Sequence, residues 1–207
     1  KPTTGVTPIP DPLASLPEPV TGPCHALSDA KITNKTITLQ PGTYCGGLTI
    51  SGTSNVSLAN GVYVIKGGPL VVMNTATLSA DNAGLFLTGL FSKDLFTSGT
   101  TISLSAPESG PLAGLLFFED RATTGVRIHR LGSNNARKMI GTIYMPTSVL
   151  NIDANAPMAD QSAYTAIVTQ SLQLQSGPNL VLNSDYSATK VPVPEGIAGT
   201  SQVVLSR

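Results

Sequence analysis

A repeat constrains this fold more than any other feature. The stretch "LQPGTYCGGLTISGTSNV", from Leu39, is followed by "LANGVYVIKGGPLVVMNTAT", from Leu58. The stems Leu39-x-x-Gly42-x-Tyr44 and Leu58-x-x-Gly61-x-Tyr63 superpose at an offset of 19 residues, and a looser copy starts at Leu78. Apolar residues alternate within each copy, as in Leu48/Ile50, Val62/Val64, Leu70/Val72 and Leu85/Leu87, and later in Leu115/Phe117, Leu150/Ile152 and Leu172/Leu174. Alternation over three to five residues turns one strand face inward and the other outward. No window keeps a 3.6-residue apolar period for three turns, so the helix content is expected to be low.

Many short strands with Gly and Asn turns fit either an antiparallel β-sandwich or a parallel β-helix. A sandwich has hairpin turns every eight to twelve residues and no long fixed period. A period near 20 with a constant internal pattern favours a coil whose turns stack on one another. The expectation is a right-handed parallel β-helix, all-β, of roughly seven turns between Ile32 and Thr189. Glycine pairs such as Gly46–Gly47 and Gly67–Gly68 mark its corners, since no helix follows them to form a phosphate cradle.

Three stretches follow from the composition. Residues 1–22 are rich in proline, with seven prolines among the first 23 residues, and read as a semi-rigid linker. Residues 23–190 form the β-helix domain. Residues 191–207, again rich in proline at first, read as a tail that packs along the helix or stays extended. A linker at the very start points to a fragment whose exporting or anchoring segment lies upstream. Twelve basic and twelve acidic residues cancel, so no global field favours nucleic acid. Cys24 and Cys45 lack zinc spacing. A disulfide between them closes a 21-residue loop in an oxidising compartment and helps cover the first turn. No metal or cofactor motif is present.

One segment departs from the rest. From Arg121 to Lys138 lie five of the twelve Lys and Arg residues and the second of two histidines, just behind Glu119 and Asp120. Glycoside hydrolysis needs two carboxyl groups roughly 5 to 9.5 Å apart. Glu119 and Asp120, being adjacent on a strand, point to opposite faces and cannot be that pair. Asp153 and Asp160 lie one and a half to two turns on. The expectation is a basic loop pinned to the wall by structural ion pairs from Glu119 and Asp120. It would display Arg121, Arg127, His129, Arg130, Asn134, Asn135, Arg137 and Lys138 as an anion- or glycan-binding patch. No catalytic residue is assigned. A carbohydrate-active enzyme, a polysaccharide lyase or glycoside hydrolase, is the rival reading. Tyr44, Tyr63, Tyr144, Tyr164 and Tyr186 read as closing turns rather than as a sugar-binding wall.

The blocks "PGTYCGGLTI", "NGVYVIKGGPLVV", "SLSAPESGPLAGLLFFEDR", "NNARKMIGTIYMP", "ADQSAYTAIV" and "SGPNLVLNSDYSATKVPVPEG", in this order, resemble the C-terminal region of TadG-like proteins of the Tad/Flp pilus machinery. The resemblance covers residues 22–196. It implies a non-enzymatic module of a Gram-negative envelope, in the periplasm or at the cell surface, that acts in pilus assembly or adhesion. Its implied partners are pilus or envelope proteins and surface glycans, with membrane contact only through an upstream N-terminal segment.

Overall fold

The computed structural model describes residues 10–25 and 30–197. The chain winds as a parallel β-solenoid of about seven turns. The first turn comprises β1 (Ala30–Thr33), β2 (Thr36–Leu39) and β3 (Gly42–Cys45); the second comprises β4 (Leu48–Ser51), β5 (Asn55–Leu58) and β6 (Gly61–Lys66). β7 (Leu70–Val72), β8 (Thr77–Asp81) and β9 (Ala83–Thr88) form the third, and β10 (Asp94–Phe96), β11 (Thr101–Ser105) and β12 (Leu115–Glu119) the fourth. β13 (Ile128–Leu131) then leads into β14 (Asn135–Ile152), which bends across all three faces, and β15 (Thr165–Leu174) follows. All registered strand pairs are parallel, and a strand pairs with its counterpart one turn away rather than with its chain neighbour, which excludes the hairpins of a sandwich.

The alternation forces this arrangement. On the first face the inward positions stack as Ile32, Ile50, Val72, Phe96, Leu131, Ile152 and Leu174. On the second, Val56, Leu78 and Ile102 do the same, all essentially inaccessible to solvent. Corners are built from glycine and asparagine. At Gly47 the backbone is left-handed (φ 100°), and an added Cβ would sit 2.5 Å from the Pro69 carbonyl of the next turn. Asn34, Asn74 and Asn82 are also left-handed, and their side-chain oxygens accept amide N–H groups of Thr53, Gly52 and Glu108 in other turns. Each corner is thereby tied to a neighbouring one without charge.

The third face is buried on both sides. Leu85, Leu87, Phe117 and Ile143 point into the solenoid. Val64, Phe86, Leu115, Phe118 and Tyr144 point outward, and Leu13, Leu16, Leu112 and Ile197 cover them. This explains the unbroken runs "GLFLT" and "LLFFE", which belong to strands without a solvent face. It also corrects two expectations. A register shift between Leu115 and Phe117 turns Leu115 outward, so the two are not equivalent inward positions. The described part of the proline-rich stretch, expected as a semi-rigid linker, packs on the solenoid: Leu13 is buried, and the Asp11 carboxylate accepts the Tyr144 hydroxyl at 2.6 Å. Residues 191–197 lie against the solenoid as well, with Val191 in the main core and the Pro192 carbonyl accepting the Tyr164 hydroxyl at 2.6 Å.

The disulfide Cys24–Cys45 is formed (Cα–Cα 5.6 Å), and Cys24 bridges Thr43 in parallel. His25 lies against the Tyr44 ring with its Nε2 3.3 Å from the Pro41 carbonyl. The N-terminal edge of the third face is closed in this way. At the other end Leu172 and Leu174 are 40% and 52% exposed, and no further strand among the described residues pairs beyond β15.

Candidate functional site

The charged segment is not one loop. It consists of β12, a connection over residues 120–127, β13 and the start of β14. On the first face the ladder that begins Ala30, Leu48, Leu70 continues with Asp94 and His129 before it returns to Leu150 and Leu172. Two ionisable side chains therefore occupy inward positions in an aliphatic stack. β12 turns Glu119 inward from the third face to meet them. Asp94, Glu119 and His129 are all fully buried, and Arg127 nearly so.

The geometry of this group is a closed quartet. His129 Nε2 is 3.1 Å from Glu119 Oε1, and Nδ1 is 3.3 Å from Asp94 Oδ2. Arg127 Nε lies 2.8 Å from Glu119 Oε1. The N–H is not aimed at that oxygen, so this contact is Coulombic rather than a hydrogen bond. Arg127 instead donates to the Gly89 carbonyl (3.2 Å) and the Asp120 carbonyl (2.9 Å). Glu119 also accepts the hydroxyls of Ser148 and Thr147. Two carboxylates face two cations, so the buried charge sums to zero.

Burial alone would lower the basicity of His129. Asp94 and Glu119 reverse this and raise its pKa to about 9, so the ring is an imidazolium at neutral pH. Burial likewise pushes the Glu119 carboxyl up, but hydrogen bonds from His129 and Ser148 and the Arg127 charge bring it below the ordinary value. With both nitrogens protonated, the ring donates to both acids. A neutral ring would instead accept the Asp94 amide N–H, 3.2 Å from Nδ1. The ring fills the space between the carboxylates, and among the described residues no group of three or more His, Cys, Asp or Glu side chains is placed to hold a metal ion.

The remaining residues of the expected patch are dispersed. Arg121 turns under the proline-rich stretch and donates to the carbonyls of Leu13 (2.7 Å), Ala14 (3.0 Å) and Leu16. It also pairs with Glu18 at 3.5 Å and lies over the Phe118 ring. Arg130 pairs with Asp153, Arg137 with Asp160, and Lys138 with Asp81 at 2.8 Å. The Ser176 hydroxyl first, and then Arg130, pull the Asp153 carboxyl below its ordinary value, and Arg137 does the same for Asp160. Asn134 accepts the Asn155 amide at 2.7 Å and Asn135 donates to Thr101 at 3.1 Å, as corner and ladder residues do. Arg127 and His129 thus cannot serve in a surface patch, because both are interior. Asp120, expected in an ion pair, accepts the hydroxyls of Thr88 and Thr123 (both 2.8 Å) and the Ala122 amide (2.7 Å) instead.

Four of the five tyrosine hydroxyls are engaged, those of Tyr144 and Tyr164 by Asp11 and Pro192. Tyr44 donates to the Gln40 carbonyl and Tyr63 to those of Leu39 and Ala59. Both close corners from inside. A shallow cleft of about 300 Å³ at the corner between the first two faces is lined by Thr97, Ser98, Arg130, Asp153 and Asn155, and it holds a single carboxylate.

Asp94 is the member of the quartet that the charged segment did not reveal. Asp94-x-Phe96 copies Leu70-x-Val72 and aligns with His129-x-Leu131. The ladder therefore carried the signal. No protein-family model matches the chain, and neither a curated protein nor a solved structure matches it.

Proposed function

We propose that the chain is a non-enzymatic contact module of a bacterial envelope, working within a Tad-type pilus system in assembly or adhesion. The observation that carries this reading is the engagement of every carboxylate considered for chemistry. Glu119 is sealed in the quartet, Asp120 is saturated by hydroxyl and amide donors, and Asp153 and Asp160 are paired with arginines. Glycoside hydrolysis needs two carboxyl groups across a substrate, whereas the corner cleft offers one. The disulfide suits an oxidising compartment outside the cytoplasm. The ordered blocks that resemble TadG-like proteins supply the pilus context. A rigid, parallel-stacked rod suits presentation of surface side chains to a partner protein or glycan.

Deleting the module in its native host, with pilus number and surface attachment scored separately, tests this. Loss of either supports the reading, and no change in both sinks it. The enzymatic rival is tested by reducing-sugar release from a polysaccharide panel. Turnover that disappears in Asp153→Asn would replace the proposal.

A further inference from the structure

We infer that the corner built from residues 88–94 and 119–128 docks on an anionic lipid bilayer. The two segments invert the usual arrangement of a surface. All their carboxylates, Asp94, Glu119 and Asp120, are buried, while Leu90, Phe91, Val126 and Ile128 stand 51%, 68%, 62% and 56% exposed. Scattered exposed apolar residues need no explanation, but four on two touching segments do. The segments do touch: a Cβ added at Gly125 would lie 3.0 Å from Leu90 Cδ1. They are also held firmly. Arg127 donates to the Gly89 carbonyl, the Gly89 amide donates to Thr123, and Thr88 donates to Asp120. The quartet beneath anchors Arg127 in turn. The apolar tips therefore project from a fixed base rather than collapsing onto the solenoid.

Charge selects the occupant. Lys93 lies two residues before the Leu95–Arg130 pair and so flanks Ile128 on the same face. Lys66 pairs in register with Thr88, at the root of the first segment. Both lysines are exposed, and neither has an ionic partner among the described residues. Arg121, close by, is already neutralised by Glu18. Projecting apolar tips between free lysines, with no outward carboxylate, match an interface of acyl chains beneath anionic headgroups. A second copy of this corner would bring lysines against lysines. This contact goes beyond the upstream membrane segment implied by the resemblance. It draws on the envelope reading only for the presence of a bilayer.

Flotation with phosphatidylethanolamine vesicles, with and without phosphatidylglycerol, tests the inference on the purified protein. The protein is expected to float with the vesicles that contain phosphatidylglycerol. Lys66→Gln with Lys93→Gln should weaken this about 25-fold, from about fivefold per lysine. Leu90→Ser with Phe91→Ser should weaken it by at least about tenfold, through lost apolar burial. The chain has no tryptophan, so Phe91→Trp provides a single reporter whose emission should shift to the blue on binding. That variant decides the matter if the serine pair fails to fold. No flotation of the wild-type protein, unchanged flotation of the folded double variants, or an unshifted emission spectrum of the Phe91→Trp variant would overturn the inference. Deletion in the host judges the pilus reading separately, because neither result depends on the other.

Discussion

His129 carries the most energetic consequence in the molecule, because its charge is held inside an aliphatic ladder. Its folded pKa, about 9, is above that of the unfolded chain. The stability it contributes is therefore fully present below about pH 6.5 and is lost as pH rises through about 9. Glu119 has the opposite sign: its carboxyl is depressed, so its contribution is present above about pH 4.5 and is lost on further acidification. The thermal midpoint should be flat between about pH 5 and 6.5, fall from there as pH rises to about 9, level off above that, and fall again under acid. In His129→Leu the alkaline fall should disappear, and a retained alkaline fall would show that another group causes it. His129→Leu itself leaves two buried carboxylates facing one guanidinium and should cost about 3–5 kcal/mol in a denaturant titration. Replacing Asp94, Glu119, Arg127 and His129 together by leucine should cost much less, since Leu70 and Leu150 already bracket Asp94 and His129, and Leu87 lies beside Glu119.

Among the elements, the proline-rich stretch and β12 form one unit. Arg121 donates to the backbone carbonyls of Leu13, Ala14 and Leu16 and so ties the stretch to the third face. Arg121→Ala should release the stretch and open it to proteolysis near Leu16, while the solenoid keeps its circular dichroism. Leu13→Ala should cost about 2–4 kcal/mol through the cavity it leaves beside Phe118 and Tyr144. Equal protease resistance in wild type and Arg121→Ala would show that Leu13 and its neighbours hold the stretch without the arginine.

At this scale the limits of sequence reading are also clear. Strands whose outer face meets solvent alternate, and the solenoid was legible from them. β9 and β12 do not alternate, because both their faces are covered. Part of the cover comes from far along the chain, as the contact between Arg121 and Leu16, 105 positions apart, shows. The charged segment was legible as unusual, but not as interior. Only the register that places His129 beside Asp94, 35 residues apart, shows where its histidine points.

For the whole molecule, the two ends of the solenoid differ. The first turn is clamped by Cys24–Cys45, whose removal by Cys45→Ser should cost about 3 kcal/mol, from the loop of 21 residues it closes. The loss should appear equally on reduction of the wild type, and a midpoint insensitive to reductant would mean that the stacked turns alone close that end. At the other end Leu172 and Leu174 stay exposed beside the outer edge of β15, which pairs with no further strand among the described residues.

The meeting of the two proline-rich stretches has a mechanical meaning. Gly196 lies against Pro12, with room for no Cβ between them, beside the fourth and fifth turns and not at either tip. A pull applied through these two strands of chain would not stretch the rod along its axis. It would shear a small clasp made of Leu13, Arg121 and Ile197, while the stacked turns bear little load. The body of the rod would thus ride out tension as a passenger, and the clasp would be the fuse.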